Sequence, residues 1–235
     1  MAIYTKLDKE NIISIISNYN LGGMKNYQGI KEGIENTNYL VETDKGKFIL
    51  TIYEKRVNKD DLPFFSKLMV ELSNKNFFCP KPILNKNNKY ISDLGSKKFM
   101  LVSYLEGKSK TNLSPDDCSS VGKQAARLHE ITKNFDFKRD NDLSVKSWRR
   151  IFDQVKDKCN RIHPDLPKLI ETNLEDVEKD WPENLPKGII HADLFHDNIF
   201  FKNNNFSGFI DFYFSCNDFY AFEIAICLNA LCFDG

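Results

Sequence analysis

Between residues 37 and 53 the apolar positions recur every second residue. Tyr39 and Val41 lie on one side of Asp44-Lys45-Gly46, and Phe48, Leu50 and Ile52 on the other. A period of two around a polar, glycine-bearing turn predicts an antiparallel hairpin, Thr37 to Thr43 against Lys47 to Tyr53. Tyr90-Ile91 and Lys98 to Leu105 read as further strands around Asn- and Gly-containing turns.

Elsewhere the apolar spacing is three and four, the period of helices with one buried stripe. Asp8 is the expected cap of a helix carrying Ile12, Ile13, Ile15, Ile16 and Tyr19, with Gly22 past its end. Asp61 is the expected cap of a second, carrying Phe64, Phe65, Leu68, Met69 and Leu72, and Pro80 and Pro82 close that segment. Ser114-Pro115-Asp116-Asp117 has the cap, the proline and the acids of a strong helix start, and Val121, Ala125, Leu128 and Ile131 form the stripe behind it. Trp148, Ile151, Phe152, Val155, Cys159 and Ile162 mark a fourth helix, and Leu169, Ile170, Leu174 and Val177 a fifth. These patterns predict an α+β fold in two lobes. Residues 1–105 form an antiparallel sheet with one or two helices, and residues 106–235 form a mainly helical half.

Composition narrows the function classes. The 33 basic and 33 acidic residues cancel, so a nucleic-acid partner, which needs a basic excess, is not expected. No apolar run approaches ~20 residues, and the first residues lack the plan of a signal peptide, so a cytoplasmic protein without a membrane partner is expected. The six cysteines include no C-x-x-C pair and fit reduced core thiols. Oligomeric state is open between monomer and homodimer.

The chemistry concentrates in His191-Ala192-Asp193-Leu194-Phe195-His196-Asp197-Asn198, which reads H-x-D-x-x-x-x-N. Gly188-Ile189-Ile190 feeds it from a short apolar strand. After it, Ile199-Phe200-Phe201 and Gly208-Phe209-Ile210 flank an asparagine-rich turn near Asn204, which predicts a hairpin. A hairpin brings its open ends together, so Asn198 before it and Asp211 after it can share one point. A carboxylate and an amide oxygen are hard ligands suited to Mg²⁺ carrying phosphates. Asp193 faces the same space as the group that would hold and deprotonate an attacking hydroxyl. His191 is expected to support the loop by hydrogen bonding. Two other readings are weighed: turn-capping roles for Asp193, Asp197, Asn198 and Asp211, and a metal site of His191, Asp193 and His196, which lacks a further ligand at suitable spacing. His129 is expected to pack rather than ligate. Upstream, Tyr27 to Tyr39 holds two glycines among polar residues before a strand. Alone it fits an ordinary turn as well as a loop over phosphates.

These residues resemble the aminoglycoside-phosphotransferase and choline-kinase superfamily, whose fold is kinase-like. Within it the resemblance is nearest to the homoserine kinases. It is carried by Gly33-Ile34-Glu35-Asn36-Thr37-Asn38-Tyr39, Phe48 to Arg56, Asp61 to Phe65, His191 to Phe201, Ile210 to Asp218, and Ala225 to Ala230. The resemblance implies ATP and Mg²⁺ as cofactors and L-homoserine as the small-molecule substrate. Asp193 is then the catalytic aspartate, and Asn198 and Asp211 are magnesium ligands. Gly33, Ile34, Glu35, Asn36, Thr37 and Asn38 form the phosphate-covering turn. Val102, Ser103 and Tyr104 form the hinge against adenine. Asp218 is a candidate for the substrate ammonium, with capping of the last helix as the competing role, and Arg149 is a candidate for its carboxylate. Choline, ethanolamine, a sugar or an aminoglycoside are the competing acceptors, and a catalytically inactive nucleotide-binding module is the competing class.

Two departures from the family pattern stand out. Kinases place a phosphate-pairing lysine on the strand after the phosphate loop, where this chain has Thr51, with Lys47, Lys55 or Arg56 as possible substitutes. Family members continue for several more helices, whereas this chain stops at Gly235, which fits a shortened protein or a fragment. Phe219 to Phe233 is apolar nearly all round, so cover on most faces is expected for that helix.

Overall fold

The computed structural model describes residues 3–33 and 35–233. The predicted hairpin is its centre. Strand β2 (Thr37–Thr43) pairs antiparallel with β3 (Gly46–Tyr53), placing Tyr39 opposite Leu50 and Val41 opposite Phe48. Strand β1 (Met24–Gly29) extends the sheet on the β2 side. Strands β4 (Ile91–Leu94) and β5 (Lys97–Ser103) extend it on the other, giving the order β1-β2-β3-β5-β4.

The two-residue period decides what each face of this sheet buries. Tyr39, Val41, Phe48, Leu50, Ile52, Phe99 and Leu101 point to one side, where they pack with Ile12, Ile15 and Ile16 of helix α1 (Lys9–Ser17). Tyr53, Met100 and Val102 belong to the opposite core, with Phe64, Phe65, Leu68, Met69 and Leu72 of helix α2 (Leu62–Asn74). That second core runs on into Ile189, Leu194, Ile199, Phe209 and Phe212, so the sheet and the His191–Asn198 segment share one apolar body. Asn38 and Thr51, directly paired across the hairpin, stand on this inner side.

The helical part follows. Helix α3 (Pro115–Ile131) starts as the sequence predicts, with Ser114 and Asp117 closing a reciprocal capping box. Helices α4 (Val145–Cys159) and α5 (Leu166–Asp180) bury Phe152, Cys159 and Leu174 between them. Strands β6 (Lys187–Ile190) and β9 (Cys216–Phe219) pair antiparallel, as do β7 (Ile199–Lys202) and β8 (Asn205–Phe209). Asn203 and Asn204 both take positive φ in the turn of the second pair, the role that asparagine tolerates best. Helix α6 (Tyr220–Leu231) ends the described chain. All six cysteines are free thiols, and no described helix is long and apolar enough to cross a membrane.

Several sequence expectations are corrected. Asp61 makes no capping hydrogen bond to α2, because its carboxylate is taken by Arg139. Helix α1 stops at Ser17 with Asn18 as its C-cap, before Gly22 is reached, and Ile13 faces solvent. Asp218 does not cap α6: it lies inside β9, and Phe219 occupies the cap position. Helix α4 ends at Cys159, before the expected Ile162, which is exposed in the turn beyond it, and only part of each stripe on α4 and α5 is buried, since the two helices cover mainly each other and Val155, Leu169 and Val177 are exposed. On α6, Ile224 and Leu228 are exposed too, so this helix has one flank uncovered among the described residues.

The two cores make a direct test. Leu50→Ala, at a fully buried site on β3, is expected to cost about 2–5 kcal/mol in denaturant unfolding. Ile162→Ala, at an exposed stripe position, is expected to stay within about 0.5 kcal/mol. Equal losses would overturn the assignment of core.

Candidate active site

The H-x-D-x-x-x-x-N stretch begins where β6 ends and closes with a single turn of 3-10 helix, His196–Asn198, before β7. Its backbone bends sharply at Ala192, where φ is 64°, a conformation costly for a residue with a Cβ. A buried carboxylate holds the bend. Glu223 of α6 is 1% exposed and accepts from the His191 N–H at 2.7 Å and the Ala192 N–H at 2.9 Å. His129 of α3 meets the same carboxylate at 3.3 Å and stacks on Tyr220. The sequence hinted at Glu223 only as a charge inside an apolar helix, and at His129 only as a packing residue.

His191 is fully buried, and its ring lies against Phe209 and Phe212. Burial holds its pKa below the usual histidine range, opposed by the Glu223 charge. The Ile210 carbonyl, 2.9 Å from Nε2, can only accept, so Nε2 carries the proton and donates. That bond ties the start of the catalytic segment to the residue before Asp211, the loop support expected of His191.

Asp193, Asn198 and Asp211 come together as the hairpin predicts. The Asn198 amide nitrogen donates to the Asp193 carboxylate at 2.7 Å and to its carbonyl at 2.8 Å. This leaves the amide oxygen as the free end. The Ile210 N–H donates to the Asn198 carbonyl at 3.0 Å, closing the mouth of the hairpin beside Asp211. Asp211 itself sits at φ 62° and ψ 64°.

The electrostatics of this cluster are unbalanced. Burial first, then the Asp211 charge, raises the Asp193 pKa to about 7. Burial first, then the Glu35 charge, raises that of Asp211 to about 6. Asp197 adds to both. Asp193 and Asp211 thus oppose each other's ionised forms, with Glu35 and the exposed Asp197 adding negative charge nearby. No three His, Cys, Asp or Glu side chains among the described residues converge as a complete metal cage, and His191 is turned inward onto Ile210. The donor set is one carboxylate and one amide oxygen, which fits Mg²⁺, an ion that keeps waters and binds through one or two protein groups plus phosphate.

The residues expected to meet nucleotide belong to the β1–β2 loop, to β2 and β3, and to the end of β5. Gly33 takes φ 87° in the β1–β2 loop, and Ile34 lies outside the described residues. Glu35 pairs with Arg56 at 2.6 Å. Asn36 and Thr37 are buried and used structurally: Asn36 accepts from the Glu54 N–H at 3.3 Å, and Thr37 donates to the Glu54 carboxylate at 2.8 Å. Asn38 accepts from the Thr51 hydroxyl at 2.8 Å. Thr51 is buried, and Tyr213, packed edge-on to Tyr53 and Phe65, lies behind it. In the hinge, Val102 is buried, and the N–H groups of Ser103 and Tyr104 are spent on the Lys81 and Lys47 carbonyls. An adenine edge there must use hinge carbonyls or the N–H groups that follow. The two proposed substrate contacts are not drawn to the cluster. Arg149 is held by Glu178 on the α4–α5 pair at 2.7 Å, and Asp218 accepts from Asn141 and from the Phe219 N–H, both at 2.7 Å.

The profile of the phosphotransferase enzyme family matches residues 26–235. The chain belongs to this family. It is 42% identical to the homoserine kinase of Bartonella tribocorum over 234 residues, covering 100% of this chain and 73% of that protein. It is 43% identical to the homoserine kinase of Methylobacterium nodulans, again over 100% of this chain and 73% of the relative. Among solved structures, an amicoumacin kinase in complex with AMP-PNP and Ca²⁺ superposes with a TM-score of 0.67 at 17% identity, covering 95% of this chain and 69% of that one. The choline kinase of Cryptosporidium parvum gives 0.67 at 22% identity, covering 93% and 68%. These likenesses agree with the α+β, protein-kinase-like fold expected from the sequence.

Two tests follow from the charges. A carboxyl whose pKa is raised on folding binds its proton more tightly in the native state, so stability falls as pH rises from about 4 to about 7. Asp211→Asn is therefore expected to raise the melting temperature of the metal-free protein at pH 8, by about 2–4 °C for each kcal/mol relieved. The gain should fade near pH 5. A variant less stable than the parent at pH 8 would contradict the unbalanced cluster. Glu223→Ala strands two buried N–H groups, and an unfolding loss of about 2–5 kcal/mol is expected from them. A loss below about 0.5 kcal/mol would remove its supporting role.

Proposed function

We propose that the chain transfers the γ-phosphoryl group of ATP to the hydroxyl of L-homoserine, giving ADP and O-phospho-L-homoserine. The observation that carries the chemistry is the Asn198 amide, which donates to Asp193 at 2.7 Å while the Asn198 carbonyl accepts from the Ile210 N–H, next to Asp211, at 3.0 Å. The acceptor rests on the homoserine kinases, 42% identical over the whole of this chain.

In this reading Asp193 receives the substrate hydroxyl and takes its proton as the oxygen attacks phosphorus. A pKa near 7 suits that task, because a base works best when it is ionised yet still basic at the operating pH. Asn198 and Asp211 would hold Mg²⁺, which neutralises phosphate charge. Gly33, Glu35 and Asn36 in the loop after β1, with Thr37 and Asn38 at the start of β2, cover the phosphates. Asn38 and Thr51 line the inner face of the sheet, and the hinge at Val102, Ser103 and Tyr104 borders adenine. His191 and Glu223 keep Asp193 in place without touching substrate. Residues 1–105 act as the nucleotide lobe and 106–235 as the catalytic lobe. The reaction is placed in the cytoplasm, where ATP is supplied and the free thiols stay reduced.

ADP release with Mg·ATP and a panel of homoserine, choline, ethanolamine and an aminoglycoside tests the acceptor. Turnover of homoserine above the others is expected, and turnover of choline alone would overturn the reading. Asp193→Asn is expected to lower kcat by about 10²–10⁴ while nucleotide affinity changes less than about twofold. In the parent, kcat/KM should rise with pH through about 7 as Asp193 loses its proton. A flat profile between pH 6 and 8 would exclude Asp193 as the base.

A further inference from the structure

Arg139 is the one described cation that fastens the start of α2 to the segment carrying Asp211. It lies in the connection between α3 and α4, and its side chain is only 12% exposed. Its Nε donates to the Asp61 carboxylate at 2.7 Å, just before α2. Its Nη1 reaches the carbonyls of Phe214 and Ser215 at 3.5 and 3.4 Å, three and four residues past Asp211. Its Nη2 donates to Asp142 at 2.5 Å, and the guanidinium lies over the Phe65 ring of α2, 5.3 Å from the centroid. The backbone is pinned as well. The Arg139 N–H donates to the Asn217 side chain at 2.9 Å, and the Asn217 N–H to the Arg139 carbonyl at 2.7 Å.

A planar fork with five donors suits this task in a way a lysine does not. The contacts also explain why Asp61 departs from the helix-capping role its position predicts: its carboxylate serves the fork instead. The path to the metal cluster is short. Phe65, under the guanidinium, packs edge-on against Tyr213 with centroids 5.7 Å apart, and the Tyr213 N–H supports the Asp211 carboxylate. The Ser215 hydroxyl reaches the His191 carbonyl at 3.4 Å. One side chain therefore bears on the sheet-side helix, on the Asp211 segment, and through Ser215 on the catalytic segment.

We propose that Arg139 is a positioning residue that sets the Asp211 carboxylate against the sheet covering the nucleotide, and so tunes the binding of metal-bound nucleotide. The inference rests on the phosphotransfer reading above. Arg139 touches neither nucleotide nor acceptor. Its loss should loosen metal-dependent nucleotide binding and leave acceptor recognition alone.

The test titrates Mg²⁺ against a fluorescent ATP analogue bound to the full chain without acceptor, alongside thermal melting. Arg139→Lys is expected to raise the Mg²⁺ concentration for half-saturation about tenfold, since a lysine keeps the charge but cannot bridge three partners. Asp61→Asn should shift it the same way, and the double variant should add little to the larger single effect. With acceptor present, the KM for homoserine should stay within about twofold. Variants that melt cooperatively and bind Mg²⁺ and nucleotide as the parent does would overturn the proposal. So would a shift in Arg139→Lys with none in Asp61→Asn. If Arg139→Lys fails to fold, Asp61→Asn decides alone in the same two directions. Parent protein that binds no nucleotide with Mg²⁺ would instead refute the phosphotransfer reading, and the inference with it.

Discussion

One buried carboxylate fixes the geometry on which the site depends. Glu223 accepts the N–H groups of His191 and Ala192, and so holds a backbone bend that an alanine would not adopt unaided. Asp193 is the next residue, so its direction is set by that bend. The cost of burying the charge is met by two N–H donors and the edge of His129. From the opposite side, His191 donates to Ile210 and ties the bend to the hairpin end that bears Asp211. Asp193 and Asp211 are thus located by groups that lie behind them in the core. The apolar body shared with α2 keeps those groups dry.

The same dryness makes the cluster unstable by itself. Asp193 and Asp211 both have raised pKa values because burial and neighbouring carboxylates oppose their ionised forms. A purely structural site would replace one of them with an amide or an apolar group and gain stability. Two partly buried acids kept side by side, with Asp197 and Glu35 near, are the kind of arrangement that a bound cation would stabilise.

Legibility in the sequence followed the range of the forces involved. The β2–β3 hairpin, the Ser114 capping box and the β7–β8 turn could be read directly, because each is settled by a period or a turn residue within a few positions. The meeting of Asp193, Asn198 and Asp211 was legible for the same reason: a hairpin is a local device that brings distant residues together. Contacts spanning many tens of residues were not. Asp61 looks like a cap until Arg139, 78 residues on, takes its carboxylate. Glu223 looks like a flaw in an apolar helix until it is seen against residues 32 positions earlier. The stripes on α4 and α5 predicted helices correctly but overstated burial, since periodicity reports which face is apolar and not how much of it a neighbour covers.

Thr51 shows how such long-range contacts bear on the missing lysine. An ammonium there would need a carboxylate partner on the inner face of the sheet. Instead the position is closed by Asn38 across the hairpin, with Tyr213 behind, and α2 presents Phe64, Phe65, Leu68 and Met69 to that side rather than an acid. The helix consequently cannot be aligned with the site by the lysine–glutamate pair that kinases use for the purpose. The charged contact lies instead at the start of α2, where Asp61 meets Arg139 and Arg139 meets the carbonyls after Asp211. An apolar inner face and a charged pin at the helix start are therefore complementary features. The first leaves no lysine–carboxylate link on that face, and the second supplies a link between the helix and the segment that follows Asp211.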